Sequence, residues 1–128
     1  MDGRSTRGND TGRIAEDAAL AHLRRHGLTL VQRNFRCKAG EIDLVMRDRH
    51  TLVFVEVKHR SNVRFGDPLE TIDRRKQLRL ARAAEVFLQR NRASTAMQCR
   101  FDVVASRAGA DGKVEIVWLP NAFSLHYS

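Results

Sequence analysis

The feature that most constrains the fold is the run from Leu52 to Lys58, with the sequence LVFVEVK. Its first four residues are apolar and β-prone, which is typical of a central strand covered on both faces. The preceding segment alternates in polarity, so that Glu41, Asp43 and Val45 share one face and Ile42, Leu44 and Met46 share the other. Residues 48–50 suit a turn. The sequence therefore predicts an antiparallel hairpin within a sheet.

Helical and strand-like segments surround this hairpin. An apolar stripe at spacings of three and four predicts a helix from Gly12, with Gly27 in the C′ position after its end. A second helix is predicted over 68–92, with its long part starting at about Asp73 and its apolar face formed by Leu80, Ala84, Phe87 and Leu88. Further strands are predicted over 28–35, 101–106 and 114–119, followed by an irregular tail that contains Phe123 and Tyr127. The order α-β-β-β-α-β-β predicts an α/β fold with a central mixed sheet flanked by helices.

The chain length and the N-terminal segment predict one domain. A length of 128 residues suits a single domain. Residues 1–11 are polar and are expected to form a disordered arm, which leaves 12–128 as the domain. No apolar run is long enough to cross a bilayer or to form a signal peptide, so we expect a cytoplasmic chain without a membrane partner.

The balance of charge points to a polyanionic partner. The chain has 23 Lys and Arg against 15 Asp and Glu, a net charge of +8. Such a surface attracts nucleic acid, although the simpler interpretation is a solvated basic surface without a partner. Charge alone predicts no chemistry.

Two acidic residues in the predicted hairpin indicate a metal site. Carboxylates are disfavoured in strands and are costly to bury unpaired. A turn centred on residue 49 would place Asp43 opposite position 55 or 56, close to Glu56. Because adjacent carboxylates repel each other, a hard cation such as Mg²⁺ (or Mn²⁺) would stabilise them. The alternative is a surface hairpin that carries salt bridges.

Three further residues are candidates for this site. Lys58 shares the face of Glu56, where it could hold a phosphate or steer a water molecule. Glu16, on the first helix, could be an additional metal ligand, directly or through water. Glu41 shares the face of Asp43 and is a fourth candidate ligand, unless it points past the metal.

Basic residues near these positions are candidate nucleic-acid contacts. They are Arg74, Arg75, Lys76, Arg79 and Arg82 on the second helix, and His59 and Arg60 after Lys58. The helix residues have no acidic residue among them to form internal ion pairs, which favours a phosphate-contacting face. The alternative is a solvated helix face.

Together these residues resemble the pattern of a known family. Asp43 followed by Glu56-Val57-Lys58 resembles the PD-(D/E)xK nuclease motif, with Ile42 where that motif has proline. The wider resemblance is to the bacterial YraN family of uncharacterised proteins, which has a restriction-endonuclease-like fold. It covers roughly residues 12–123 and rests on Gly12, Ala15-Glu16, Asn34-Phe35-Arg36, residues 40–45, residues 53–60, Lys76, Arg79 and residues 100–104.

The resemblance implies roles for these residues. Asp43 and Glu56 would be metal ligands, Glu16 an accessory ligand, and Lys58 the partner of a phosphate or water. The arrangement is also similar to that of archaeal Holliday junction resolvases, which act as pairs, so a homodimer is implied. The expected function is Mg²⁺-dependent endonuclease action on branched or structured DNA. The alternatives are a nucleic-acid-binding module without turnover, and a structural subunit that docks through its basic face.

Overall fold

The computed structural model describes residues 7–60, 72–94, 96–108 and 111–124. Within these residues, two helices and five strands follow the predicted order α-β-β-β-α-β-β. They are α1 (Arg7–Arg25), β1 (Thr29–Cys37), β2 (Gly40–Asp48), β3 (Thr51–Arg60), α2 (Arg74–Arg90), β4 (Gln98–Ala108) and β5 (Val114–Phe123). The predicted α/β fold class is confirmed. No helix in these ranges is long and apolar enough to span a membrane.

The five strands form one mixed sheet in the order β1-β2-β3-β4-β5. The pairing of β3 with β4 is parallel, and the other three pairings are antiparallel. Strand β3 lies at the centre and is covered on both faces, as its apolar sequence predicted. Val53 and Val55 pack in one core cluster with α1, while Leu52 and Phe54 pack in the other with α2.

Helix α1 ends where the sequence predicted. Gly27 has a φ of +92°. Its N–H donates to the carbonyl of Arg24, and the N–H of Leu28 donates to the carbonyl of Leu23, at 3.0 and 3.1 Å. These are the two hydrogen bonds of a Schellman motif, and Leu28 and Leu23 share a core cluster beneath it.

The start of α1 differs from the prediction. The helix begins at Arg7, before the expected start at Gly12, so residues 7–11 of the predicted disordered arm are helical. Packing of Ala19 and Leu23 against the sheet supplies the nucleus. Each further residue then adds a hydrogen bond at low cost, so polar residues can extend the helix. Residues 1–6 lie outside the described ranges.

Helix α2 begins at Arg74, next to the predicted position. The side chain of Asp73 caps it by accepting a hydrogen bond from the N–H of Lys76 at 2.8 Å. The predicted residues Leu80, Ala84 and Phe87 are buried against the sheet, with Leu88 packed beside them. Residues 68–71 of the predicted helix lie outside the described ranges.

The predicted faces of β2 need one correction. Leu44 and Met46 pack on the α1 side, but Ile42 packs with Val45 on the α2 side. The β2–β3 pairing ends at Leu44, so residues 40–43 of β2 have β1 as their only neighbouring strand. Opposite Asp43 on β1, Asn34 has a φ of +52°, which interrupts the regular pleat. The alternation of side chains between the two faces of β2 is therefore interrupted near Asp43.

The predicted irregular tail is also wrong at Phe123. Strand β5 extends to Phe123, whose ring stacks on Phe101 with centroids 4.9 Å apart. Buried Asp102 accepts hydrogen bonds from the N–H of Asn121 at 2.8 Å and from Trp118 Nε1 at 2.9 Å. These contacts hold the strand past its predicted end at Leu119. Tyr127 lies outside the described ranges.

Candidate functional site

The site forms where β2 and β3 separate. Their pairing runs from Asp48 opposite Thr51 to Leu44 opposite Val55, so the next positions in register are 43 and 56. The hairpin thus has the predicted register. In place of a further backbone pair, the Val57 N–H donates to Asp43 Oδ2 at 2.7 Å. A carboxylate therefore completes the hydrogen bonding at the end of the hairpin.

Asp43 and Glu56 form a buried carboxyl pair. Their side chains hydrogen-bond to each other, and Glu56 is only 6% exposed. Burial raises the pKa of Asp43 to about 8, assisted by repulsion from Glu56 and Glu16 and opposed by the hydrogen bond from Val57. At neutral pH the carboxyl pair therefore retains a proton. Such a pair would bind a cation if its proton were released.

A lysine of α2 lies against this carboxyl pair. Lys76 Nζ forms an ion pair with Glu56 Oε2 at 2.5 Å. Lys76 belongs to the first turn of α2, and packing of Leu80 and Ala84 against the sheet fixes that turn above β3. A sequence-predicted nucleic-acid contact is therefore in direct contact with a sequence-predicted metal ligand.

The carboxyl pair lines an open cavity of about 370 Å³ between the sheet and α2. Its walls are formed by Gly40, Glu41, Asp43, Glu56, Val57, Lys76, Arg79 and Leu80. Gly40 lies close to the helix, since a Cβ there would lie 3.6 Å from the carbonyl oxygen of Arg79. The start of β2 thus lies against α2 at the wall of the cavity. Three acidic residues and two basic residues therefore line the same cavity.

Two other predicted metal ligands are engaged by arginines. Glu16 Oε1 accepts from Arg33 at 3.1 Å, although its charge still contributes to the raised pKa of Asp43. Glu41 lies on the cavity wall and pairs with Arg36 at 2.6 Å. Across the described ranges, no three His, Cys, Asp or Glu side chains are grouped to hold a metal. The structure brings together two of the four candidates.

Lys58 and His59, two predicted site residues that follow Glu56, do not line the cavity. Lys58 is half-buried on β3, opposite Ala105 of β4, and does not line the cavity. His59 is exposed, and its Nδ1 is 3.0 Å from Ser106 Oγ. Strand alternation points its side chain away from the face of Glu56. The backbone of Arg60 belongs to β3, and its side chain lies outside the described part of the structure.

The basic residues of α2 divide into two groups. Arg75, Arg79 and Arg82 recur at spacings of four and three, so they form one exposed stripe, here called the arginine stripe. This stripe runs beside Lys76, and Arg79 joins it to the cavity. Arg74 is also exposed but lies on another side of the helix. None of these four arginines forms an ion pair with another residue in the described part of the chain.

The donor set of the carboxyl pair suits a hard divalent cation. Mg²⁺ is commonly bound by one or two carboxylates, with waters and substrate phosphates completing its shell. Asp43 and Glu56 supply two such carboxylates at hydrogen-bonding distance, and Asp43 is oriented by the Val57 N–H. On these observations the residues fit the ion. Their role as ligands remains a prediction.

Sequence reasoning did not find the pairing of Lys76 with Glu56, nor the arginine partners of Glu16 and Glu41. The contacts of Lys76 and Glu16 depend on how α2 and α1 pack over the sheet. Arg36 and Glu41, by contrast, lie opposite each other on the β1–β2 hairpin. For the contact between Lys76 and Glu56, the only signal in the sequence was the unusual position of Lys76. A cation in the first turn of a helix opposes the helix dipole, which suggests a nearby anion.

The sheet and its buried carboxyl pair define an α/β protein with a candidate metal and phosphate site. The model of the uncharacterised protein family UPF0102 matches residues 15–105. A UPF0102 protein of Ectopseudomonas mendocina (strain ymp) is 49% identical over 115 residues, covering 90% of this chain and 95% of the relative. The chain belongs to the UPF0102 family, which confirms the resemblance to a family of uncharacterised proteins.

Other relatives match this chain over a similar length. A UPF0102 protein of Pseudomonas entomophila (strain L48) is 52% identical over 112 residues, covering 88% of this chain and 91% of the relative. One from Nitrosococcus oceani is 48% identical over 116 residues, covering 89% and 91%. The similarity therefore includes all the elements that form the site.

Proposed function

We propose that this protein is a Mg²⁺-dependent endonuclease that hydrolyses phosphodiester bonds in branched or structured DNA. The observation that carries the proposal is the buried carboxyl pair of Asp43 and Glu56, which shares a cavity with Lys76 and Arg79. Carboxylates that bind a cation, beside basic groups that bind phosphate, are the components that phosphodiester hydrolysis requires.

Asp43 and Glu56 would hold the metal ion. When bound, the ion would activate a water molecule and neutralise charge developing on the phosphate. The hydrogen bond from Val57 fixes the Asp43 carboxyl group at the end of the hairpin. Burial of Glu56 among the residues of the hairpin and α2 restricts its rotamers. The chain therefore positions both carboxyl groups before any ligand arrives.

The basic groups would bind and orient the substrate. Arg79 lines the cavity and lies in the middle of the arginine stripe, so the backbone of a DNA strand could follow α2 past the cavity. Lys76 would contact the phosphate nearest to the carboxyl pair. Lys58 would stabilise charge from the sheet side, as its motif position implies. Action on DNA would place the protein in the cytoplasm.

The test is a cleavage assay with purified protein, Mg²⁺ and linear, nicked, flapped and four-way DNA. We expect Glu56→Gln and Asp43→Asn to lower the cleavage rate roughly 100-fold or more, a typical effect of removing a polar catalytic group. Glu85→Gln is a matched control, because Glu85 is exposed on α2 away from the cavity. Cleavage by Asp43→Asn and Glu56→Gln at the wild-type rate would refute the proposal.

A second candidate function is DNA binding without turnover. It is favoured by the occupied state of the carboxyl pair, in which Asp43 retains a proton and Glu56 already has Lys76 as its counter-ion. Wild-type protein that binds four-way DNA in an electrophoretic shift assay, but cleaves none of the panel with Mg²⁺ or Mn²⁺, would support this function over the first.

A further inference from the structure

We propose that Lys76 is an internal counter-ion that occupies the carboxyl pair in the absence of substrate and moves to the substrate phosphate when DNA binds. Metal and DNA would then bind cooperatively, with the metal weakly held until DNA arrives. This inference rests on the proposed function, because it concerns the regulation of the same carboxyl pair.

Lys76 and a metal ion would compete for one oxygen atom of Glu56. Lys76 Nζ lies 2.5 Å from Glu56 Oε2. A divalent ion would approach carboxylate oxygens to roughly 2.0–2.6 Å. Two cations at such distances from the same buried carboxylate would repel each other strongly. Lys76 must therefore leave Glu56 before the site can bind a metal with full affinity.

The two side chains of this ion pair differ in their freedom to move. The side chain of Glu56 is 8% exposed, whereas that of Lys76 is 38% exposed. Glu56 is thus the fixed partner, and the lysine reaches it from the solvent side. The backbone of Lys76 is held by its N–H bond to Asp73. Only the long side chain needs to move, which is a rotamer change on a fast timescale.

A DNA phosphate would draw Lys76 away from Glu56. The first turn of α2 contains no acidic residue, and Lys76 follows Arg74 and Arg75 directly. Repulsion among these residues and with the helix dipole disfavours a cation there. A DNA phosphate beside Arg79 would supply the missing negative charge. It would compete with Glu56 for the lysine and leave Glu56 available to a metal.

The test is isothermal titration calorimetry with Mg²⁺, in the presence and absence of a phosphorothioate four-way junction that resists cleavage. The variants are Lys76→Met and, as a second neutral residue, Lys76→Gln. Lys113→Met is the matched control, since Lys113 is exposed in the β4–β5 turn. The measurements are made at pH 8.5, above the pKa of about 8 of Asp43, so that proton competition is small.

For wild-type protein and Lys113→Met, we expect DNA to tighten Mg²⁺ binding on the order of 10-fold, within the usual range of coupling between two sites. For both Lys76 variants, we expect Mg²⁺ to bind about 10-fold more tightly than to wild type without DNA, and DNA to add little. Their melting temperatures should also rise more with Mg²⁺ than that of wild type.

Two different negative results would separate a failure of the counter-ion role from a failure of the proposed function. Equal Mg²⁺ affinity in wild type and the Lys76 variants without DNA would overturn the counter-ion role but leave the metal site intact. The absence of Mg²⁺ binding in all four proteins, with and without DNA, would overturn the metal site and with it the proposed function.

Discussion

At the scale of single residues, Asp43 combines a structural contact with a chemical one. It accepts the Val57 N–H at the end of the hairpin and faces Glu56 at hydrogen-bonding distance. Burial raises its pKa from 3.8 to about 8. The folded protein thus holds a proton on this carboxyl group much more tightly than the unfolded chain does.

This raised pKa predicts how stability depends on pH. Between about 4 and 8 the folded state binds more protons at Asp43 than the unfolded state, so the free energy of unfolding falls as pH rises through this window. One group contributes at most about 1.4 kcal/mol per pH unit. Asp43→Asn keeps an acceptor for Val57 and should remove this contribution, so the variant gains stability relative to wild type as pH rises.

The measurement is urea unfolding without metal at intervals from pH 5 to pH 9. Asp111→Asn is the control, because Asp111 is exposed in the β4–β5 turn, and it should follow the wild-type profile. A constant difference in unfolding free energy between wild type and Asp43→Asn across this range would contradict the prediction.

At the scale of elements, the end of α1 is an example of purely local coding. Gly27 has a φ of +92°, a conformation that other L-residues adopt at a cost. Its two neighbouring hydrogen bonds join α1 to β1 and place Leu28 on Leu23. The orientation in which the chain enters the sheet therefore depends on one residue type.

Gly27→Ala is expected to lower the free energy of unfolding by roughly 1–2 kcal/mol, the cost of a left-handed backbone for a residue with a Cβ atom. Gly12→Ala makes the same chemical change inside α1, where no atom lies within 4 Å of the new Cβ. It should stabilise the protein by about 0.5–1 kcal/mol. Thermal and urea unfolding of both variants tests these two expectations. Changes of the same sign in the free energy of unfolding would contradict them.

Local signals explain which parts of the structure could be predicted. The C′ position of Gly27, the turn at 48–50 and the apolar run of β3 each lie within a few residues, and the elements built on them were found. The nearness of Asp43 and Glu56 followed from hairpin register alone. By contrast, the contact of Lys76 with Glu56 joins α2 to the sheet, and the stack of Phe101 on Phe123 joins two strands. Such contacts are set by tertiary packing, which the sequence pattern does not report.

At the scale of the whole molecule, some arginines form ion pairs and others do not. Several arginines outside α2 form ion pairs: Arg33 with Glu16 and Asp17, Arg36 with Glu41, Arg100 with Asp48 and Asp102, and Arg107 with Glu115. The arginine stripe has no such partners among the described residues. The arginine stripe is therefore available to an external polyanion beside the cavity.

Neutralising this stripe should weaken DNA binding in a salt-dependent way. The triple variant Arg75→Gln, Arg79→Gln, Arg82→Gln should lower the affinity for four-way DNA. It should also reduce the slope of log affinity against log salt by about 0.9 for each phosphate that the variant no longer neutralises. The control is Arg13→Gln, Arg24→Gln, Arg25→Gln on α1, which removes the same charge from exposed residues elsewhere. Fluorescence anisotropy over a range of salt concentrations provides the measurement. Equal reductions in affinity for both triple variants would show that only net charge matters.

The hydrogen bond between Val57 and Asp43 has a consequence for how relatives of this protein are compared. Because the hairpin needs an acceptor at position 43, selection for folding alone would retain aspartate or asparagine there, even in a lineage that had lost catalysis. Glu56 meets no comparable demand from the backbone in the described structure. The residue at position 56 would therefore be the better marker of relatives that keep the proposed activity.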